Sequence, residues 1–310
     1  MAIRFRIDNV RVVTENARSL NTIESLRHLL DTIPEPRQQH TTLIQPQQNT
    51  LANALAELWY YRELVLYFVW RDVKVRYKQT VLGISWAILK PLVQMVIFTF
   101  IFSNIAQLDS EGIPYPIFNY SALVPWLFFT SSLAGATSSL VSSASMIKKI
   151  YFPRLVLLVS ATLSNLVDFS LSLLFLFVLM AWFGVGISWK IVFLVPLLLL
   201  SILTSLGISL WLAPLNVQFR DVRLATPFLI QIGLYLTPIV YSSSSLPAPF
   251  DRLYALNPMA GVVEGFRWAL VNTEVQPGIP SLISVGIALL LFASGLMYFV
   301  RMEKTFADVI

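Results

Sequence analysis

The sequence predicts an all-α integral membrane protein: six transmembrane helices, an N-terminal interfacial amphipathic helix, and re-entrant helices on the outer, periplasmic side before the last span. Three observations lead there. Of 310 residues, 56% are hydrophobic and 13% charged, where soluble domains carry about 25% charged residues. The mean hydropathy of +0.69 implies more apolar surface than a soluble fold of this size can bury. The charges also cluster, and six long stretches between the clusters are almost free of them, as crossing lipid requires.

Residues 1–57 have ordinary polarity, with Gln45, Gln47, Gln48 and Asn49 and a Pro34-Glu35-Pro36 turn. They read as a flexible cytoplasmic extension. No run of about 7–15 apolar residues follows the basic start, so this is not a secretory signal. The membrane domain is expected over 58–310. Leu64 to Trp70 is unbroken apolar and aromatic, flanked by Arg62, Arg71, Lys74, Arg76 and Lys78. It is too short to cross about 30 Å of hydrocarbon and suits the headgroup plane. The alternation from Val73 to Lys78 reads as an extended link into the first span.

The six spans are placed at about 82–107, 118–139, 155–183, 191–214, 227–242 and 281–300. All but the fifth reach the roughly 20 residues that a crossing helix needs; the fifth is short and broken by Pro238. Between it and the sixth lies an irregular segment with Pro247, Pro249, Pro258 and Pro277. Asn257 before Pro258 marks a helix start, an Asn cap with proline in the first helical position. Glu264 and Arg267 inside that helix argue that it dips into the outer leaflet and returns.

Basic residues set the orientation. Arg62, Arg71, Lys74, Arg76, Lys78, Lys148, Lys149, Arg154, Arg220, Arg223, Arg301 and Lys304 fall on one side; Lys190, Arg252 and Arg267 fall on the other. Both termini are therefore expected in the cytoplasm. The sequence pI of about 9.5 follows from this bias and calls for no nucleic acid.

Several chemistries are excluded. There is no cysteine, and the two histidines, His28 and His40, precede the membrane domain, so thiol catalysis and histidine-based metal or proton-relay sites are absent from it. No G-x-x-x-x-G-K-[ST] occurs, so ATP chemistry would belong to another chain. Asp168 stands alone in the third span, either as a proton or substrate site or hydrogen-bonded to a neighbour such as Asn165. Lys90 is near enough to the surface to snorkel, or to meet an anionic headgroup. The loop Met146 to Arg154 (MIKKIYFPR) is a positive-inside anchor or a docking element. The hydroxylated zone Thr130 to Ser145 allows close helix packing or lines a polar path. The Gly261/Gly265 pair reads as close packing or nothing, and Asn119-Tyr120-Ser121 spells a glycosylation acceptor too near a span for use. Trp86, Tyr120, Trp126, Phe128, Phe129, Tyr235 and Tyr241 concentrate in the first, second and fifth spans, where flat rings beside hydroxyls suit the C–H faces of sugars.

Three stretches carry a family resemblance. RDVKVRYKQTVLGISWAILKPL (Arg71 to Leu92), FRDVRLATPFLIQIGLYLTPIVYS (Phe219 to Ser242) and YALNPMAGVVEGFRWAL (Tyr254 to Leu270) resemble permease subunits of type-2 ABC transporters. More narrowly, they are similar to those exporting O-antigen, capsule and teichoic acid. The resemblance covers Leu58 onward, and nothing is carried onto the extension before it. It implies a homodimer in the inner membrane, an ABC ATPase partner that uses ATP and Mg, and a lipid-linked polysaccharide as cargo, with no catalytic residue, metal or cofactor on this chain. It further implies a gate helix at Trp59 to Lys78, whose Arg71, Lys74, Arg76 and Lys78 steer the carrier phosphate. Lys148, Lys149, Tyr151, Phe152 and Arg154 would dock the ATPase. Asn257, Pro258, Met259, Glu264 and Arg267 would form the periplasmic gate within Leu246 to Val271, and the seven aromatics would line the channel.

Two other readings stand beside it. A permease for drugs or small lipids would keep the fold and change the cargo. A polyprenyl-lipid glycosyltransferase or acyltransferase needs a general base or paired acids at a membrane face, and only Asp109 and Glu111 approach that.

Overall fold

The computed structural model describes residues 51–78, 80–243, 254–271, 273 and 278–303, which all fall within one unit, Asn49–Ile310. The expected extension, apart from its last residues, and the segment around Pro247 and Pro249 lie outside the described residues. Every regular element described is a helix: α1 Leu51–Tyr60, α2 Arg62–Tyr77, α3 Trp86–Phe98, α4 Tyr115–Ser142, α5 Ala144–Ile147, α6 Leu155–Leu163, α7 Leu166–Trp182, α8 Leu194–Gln218, α9 Asp221–Leu236, α10 Pro258–Val271 and α11 Ile279–Met302. A π-helical stretch, Thr99–Ile105, prolongs α3, and 3-10 turns at Gly83–Ser85 and Trp189–Phe193 lead into α3 and α8.

Five stretches are long and apolar enough to cross a membrane: Gly83–Ile105, Tyr115–Ser142, Leu155–Trp182, Trp189–Gln218 and Pro280–Met302. They coincide with five of the six expected spans. The remaining one, the fifth in chain order, expected at 227–242, falls on α9, which begins earlier, at Asp221, and stops at Leu236. At 16 residues it is about 24 Å long. Thr237 breaks into extended backbone ahead of Pro238, because the residue before a proline is driven out of the helical region.

A further expectation is corrected. The link Val73 to Lys78 is helical, since α2 continues to Tyr77 and Lys78 still donates its N–H to the Lys74 carbonyl. An isolated extended segment would leave its ladder groups unpaired, whereas a helix satisfies them internally. Helix α1 begins at Leu51 and runs through residue 57. Moreover, α2 is apolar on two sides: Val65 and Phe68 are buried while Leu66, Tyr67 and Trp70 are exposed. The run Leu64 to Trp70 covers nearly two helical turns, so its apolar side chains surround the axis.

The second span, α4, is the hub. About 78% of its apolar window is buried, against 11% for the first span, and it packs on α3, α6, α7, α8, α9 and α10. Its hydroxyls mostly bond carbonyls of their own helix, as Ser139 does to Ala136 at 2.7 Å and Ser142 to Ser139 at 3.1 Å. That leaves a surface narrow enough for neighbours to approach. Asn216 of α8 reaches across to the Thr137 carbonyl at 3.0 Å. The third span is two helices, broken where Ser164 and Asn165 both donate to the Ala161 carbonyl, at 3.0 and 2.8 Å.

Glycines set the tightest contacts. A Cβ on Gly295 of α11 would lie 2.6 Å from the Gly207 carbonyl oxygen of α8, and one on Gly207 would lie 2.8 Å from the Phe292 nitrogen. The Gly261/Gly265 pair is likewise a packing surface: added Cβ atoms would strike Ser284 at 2.7 Å and Leu197 at 2.5 Å. Gly286 faces open space. Gly295→Val is therefore expected to destabilise by about 1–3 kcal/mol through overpacking, while Gly286→Val leaves the melting temperature near wild type. Thermal unfolding of both variants in detergent decides this, and equal melting temperatures would contradict the α8–α11 contact.

Candidate functional site

Helix α10 begins as its sequence indicates. Asn257 precedes Pro258 and accepts the Met259 N–H on Oδ1 at 3.0 Å, so an otherwise orphaned helical donor is satisfied. Its amide nitrogen donates to the Leu236 carbonyl at 3.2 Å and to Thr237 Oγ1 at 3.0 Å, tying α10 to the end of α9. Pro258 and Met259 are buried.

Arg267 lies one face away and is only 3% exposed. Its Nε donates to the Phe118 carbonyl at 3.1 Å, its Nη1 to Pro238 at 2.6 Å and Tyr241 at 3.1 Å, and its Nη2 to Ile239. The Tyr115 hydroxyl donates to the Val240 carbonyl at 2.7 Å. All four carbonyls from Pro238 to Tyr241 are thus taken by side chains of α10 and α4. The guanidinium also sits over the Phe118 ring, 3.7 Å from its centroid. Burial pulls Arg267 down to about 10, opposed by Glu264, which leaves it charged at neutral pH. Burial raises Glu264, opposed by Ser243 and Arg267. Ser242 donates to Glu111, and the Tyr241 and Tyr254 hydroxyls pair. Sequence reading named Arg267 and Glu264, offered Glu111 only as an acid of the rival enzyme reading, and missed Tyr115 and Tyr254, whose partners stand in other segments. Asn119, which spells an acceptor, is fully buried, as its nearness to a span indicates.

The aromatic set divides. Tyr120 packs on Phe175, Phe128 on Phe169 and Trp126 on Phe129, all three pairs with at least one ring buried in the bundle. Trp86 and Tyr235 are exposed on this chain, Tyr235 by 64%, and half-buried Tyr241 donates to the Tyr235 carbonyl at 2.9 Å. Trp126 and Phe129 border an apolar cavity of about 260 Å³ between α4, α8 and α9.

The loop between the second and third spans divides into an exposed and a buried part. Ile150 and Tyr151 are 63% and 75% exposed beside exposed Lys148 and Lys149. Phe152 is buried against Phe68 of α2, ring centroids 5.8 Å apart. The Arg154 backbone N–H and Nη1 both donate to Glu303 Oε1, at 3.1 and 3.4 Å. Burial, with Glu303 adding to it, raises Glu57.

The basic residues of α2 are not equivalent. Lys74 and Lys78 are exposed. Arg71 pairs with Asp72 at 2.8 Å and lies over Phe68. Arg76 donates to Asp168 Oδ2 at 2.5 Å and to Ser164 at 3.2 Å, and the Tyr77 hydroxyl donates to Asp168 Oδ1. Asp168 therefore has a basic partner, Arg76, while Asn165 is turned to its own helix. Sequence spacing gives no sign of this pair, because its members stand in different helices. Tyr77 is pushed up to about 12, by burial first and Asp168 next, and so stays a donor.

The sequence pattern of the ABC-2 type transporter family matches residues 63–271. The O-antigen export system permease protein RfbA of Myxococcus xanthus is 28% identical over 82% of this chain and 98% of that protein. A protein of the same name from Klebsiella pneumoniae is 29% identical over 82% of this chain and 97% of its own length. The polysialic acid transport protein KpsM of Escherichia coli is 24% identical, covering 67% of this chain and 81% of that one.

The matched stretch ends with the helix that carries Arg267. Lysine there offers one compact ammonium in place of a planar fork and cannot serve carbonyls on both sides. Arg267→Lys is expected to leave at least one buried carbonyl unpaired, at a cost of about 1–3 kcal/mol. A melting temperature equal to wild type in detergent would show that Arg267 does not hold α9, α10 and α4 together.

Proposed function

Because the chain belongs to the ABC-2 type transporter family, we propose that it is the permease of an ATP-driven exporter moving polysaccharide or lipid-linked glycan from the cytoplasm across the inner membrane. The observation that carries this is the near end-to-end match to relatives named for O-antigen export, 97–98% of their length. ATP hydrolysis is assigned to a separate subunit, in keeping with the missing phosphate-binding loop in this sequence.

In this reading α9 is the fifth of six crossings. It starts directly after α8, and the carbonyls beyond its end bond Arg267 and Tyr115 beside the start of α4, which supports a passage from one face to the other. Six crossings keep both termini cytoplasmic. The Pro258–Val271 helix is a re-entrant outer gate, too short to span yet buried along its length as re-entrant backbone must be. A second copy is the natural cover for the first span, 11% buried, and for α9, of which only Thr226 is buried. Trp86, Tyr235 and Tyr241 face the channel between the copies, and buried Tyr120, Trp126, Phe128 and Phe129 stiffen its wall.

The ATPase docks on Lys148, Lys149, Ile150 and Tyr151, and its movement reaches the gate helix through the Phe152–Phe68 contact. Ile150→Asp with Tyr151→Ala, both at exposed positions, should lower co-purification of a P-loop subunit at least tenfold without changing the melting temperature. Co-purification at wild-type level would rule out this docking surface. A chain that purifies alone under conditions preserving other membrane complexes would rule out the exporter.

A further inference from the structure

Two cavities meet at the C-terminal end of α2. One, of about 330 Å³, lies between α2, α3, α4 and α7, with Trp86, Lys90, Phe128 and Asp168 in its wall. The other, of about 220 Å³, runs along α4 past Ser131, Gly135, Ser139 and Ser142. These four positions recur at helical spacing, so they form one small, polar stripe from the cytoplasmic end of α4 up to the first cavity. Arg76, Ser131 and Asn165 line both cavities. Arg76 therefore stands on the partition, held there by Asp168.

The first cavity is chemically mixed. Val124, Leu127 and Phe169 supply apolar wall, while Arg76, Lys90 and Asp168 supply charge. Lys90 is exposed and makes no ion pair among the described residues. A cation within a span is costly unless an anion or water meets it. The Arg76–Asp168 pair is about one-third exposed on each side, 33% and 30%, and partly exposed pairs are weakly held, so a ligand with more negative charge can displace the carboxylate from the guanidinium. The volume falls near the lower end of small-molecule sites, about 300–1,000 Å³.

We infer that the two cavities form a loading site for a saccharide carried on phosphate, in which the phosphate takes Arg76 from Asp168 and Asp168 turns to the sugar hydroxyls. The inference rests on the exporter reading above and adds a site and a selection step to it. Lys90 is the second cation on the phosphate. Trp86 offers its ring to the sugar's C–H face, and Ser131 and Asn165 offer further hydrogen bonds. Asp168 is the selector: a phosphate without sugar gains Arg76 but leaves the carboxylate with Tyr77 as its one remaining donor among the described residues and a new anion beside it, whereas sugar hydroxyls replace the bond lost on Oδ2.

The test is equilibrium binding to the purified complex of this chain with its ATPase, in nanodiscs. The probes are farnesyl-diphospho-N-acetylglucosamine, farnesyl diphosphate and phosphatidylglycerol, with export by the wild-type complex assayed in parallel. Wild type should prefer the glycosyl probe to farnesyl diphosphate. Lys90→Gln should weaken both diphosphates by about tenfold, the size of one charge-assisted hydrogen bond. Asp168→Asn should bring the ratio of the two affinities towards one, and Trp86→Leu, an exposed position, should weaken only the glycosyl probe. Melting temperatures identify any variant that fails to fold, and Trp86→Leu and Lys90→Gln then carry the result. Unchanged binding in the folded variants, or phosphatidylglycerol competing as well as the glycosyl probe, overturns the loading site while export by wild type keeps the exporter reading. A wild-type complex that neither exports nor binds the glycosyl probe overturns both.

Discussion

The end of the bundle where α4 begins depends on one guanidinium. The segment Pro238–Tyr241 is neither helix nor strand, yet Ile239 and Val240 are buried, so its carbonyls have no neighbours in regular structure. In an apolar setting each unpaired carbonyl costs free energy comparable to a lost hydrogen bond. Arg267 supplies three of the four and Tyr115 the other. The arrangement is reciprocal. A buried cation is tolerable only when its donors are satisfied, and those same carbonyls, with Phe118 and its ring, solvate it. The broken end of α9 and the charged side chain of α10 each make the other possible.

The end where α4 finishes is assembled differently. Val65 and Phe68 of α2 share an apolar cluster with Phe152, Leu155 and Phe299, so α2, the loop, the third span and the last helix form one layer. Its polar ties are few and lie towards the edge: Arg154 with Glu303, and Arg76 with Asp168. Apolar contact without fixed direction lets helices slide, while a peripheral ion pair exchanges partners at little cost. The first end is bolted by hydrogen bonds to backbone. The second is held by packing and two partly exposed charge pairs.

Much of this was legible in the sequence, for identifiable reasons. Charge gaps located five spans because hydrocarbon excludes charge, and Asn257-Pro258 marked the start of α10 because both residues act locally. The period-two alternation in Val73–Lys78 misled, since a strand signal has meaning only where a second strand exists to pair with. The aromatic set was found by type, but type does not say which ring is inward: Tyr120 is fully buried and Tyr235 open. The Arg76–Asp168 pair spans 92 positions and joins separate helices, so nothing periodic announces it.

The Arg267 clamp grips main chain throughout. Carbonyl oxygens are the same whichever side chain stands beside them, so the clamp reads the path of the backbone at 238–241 and ignores its spelling. The side chains of Val240 and Tyr241 are held by other partners, Val240 by the apolar core and Tyr241 by the Tyr235 carbonyl and the Tyr254 hydroxyl. Backbone path and side-chain packing at 238–241 are therefore fixed by different atoms, and a change of side chain here tests packing without touching the clamp.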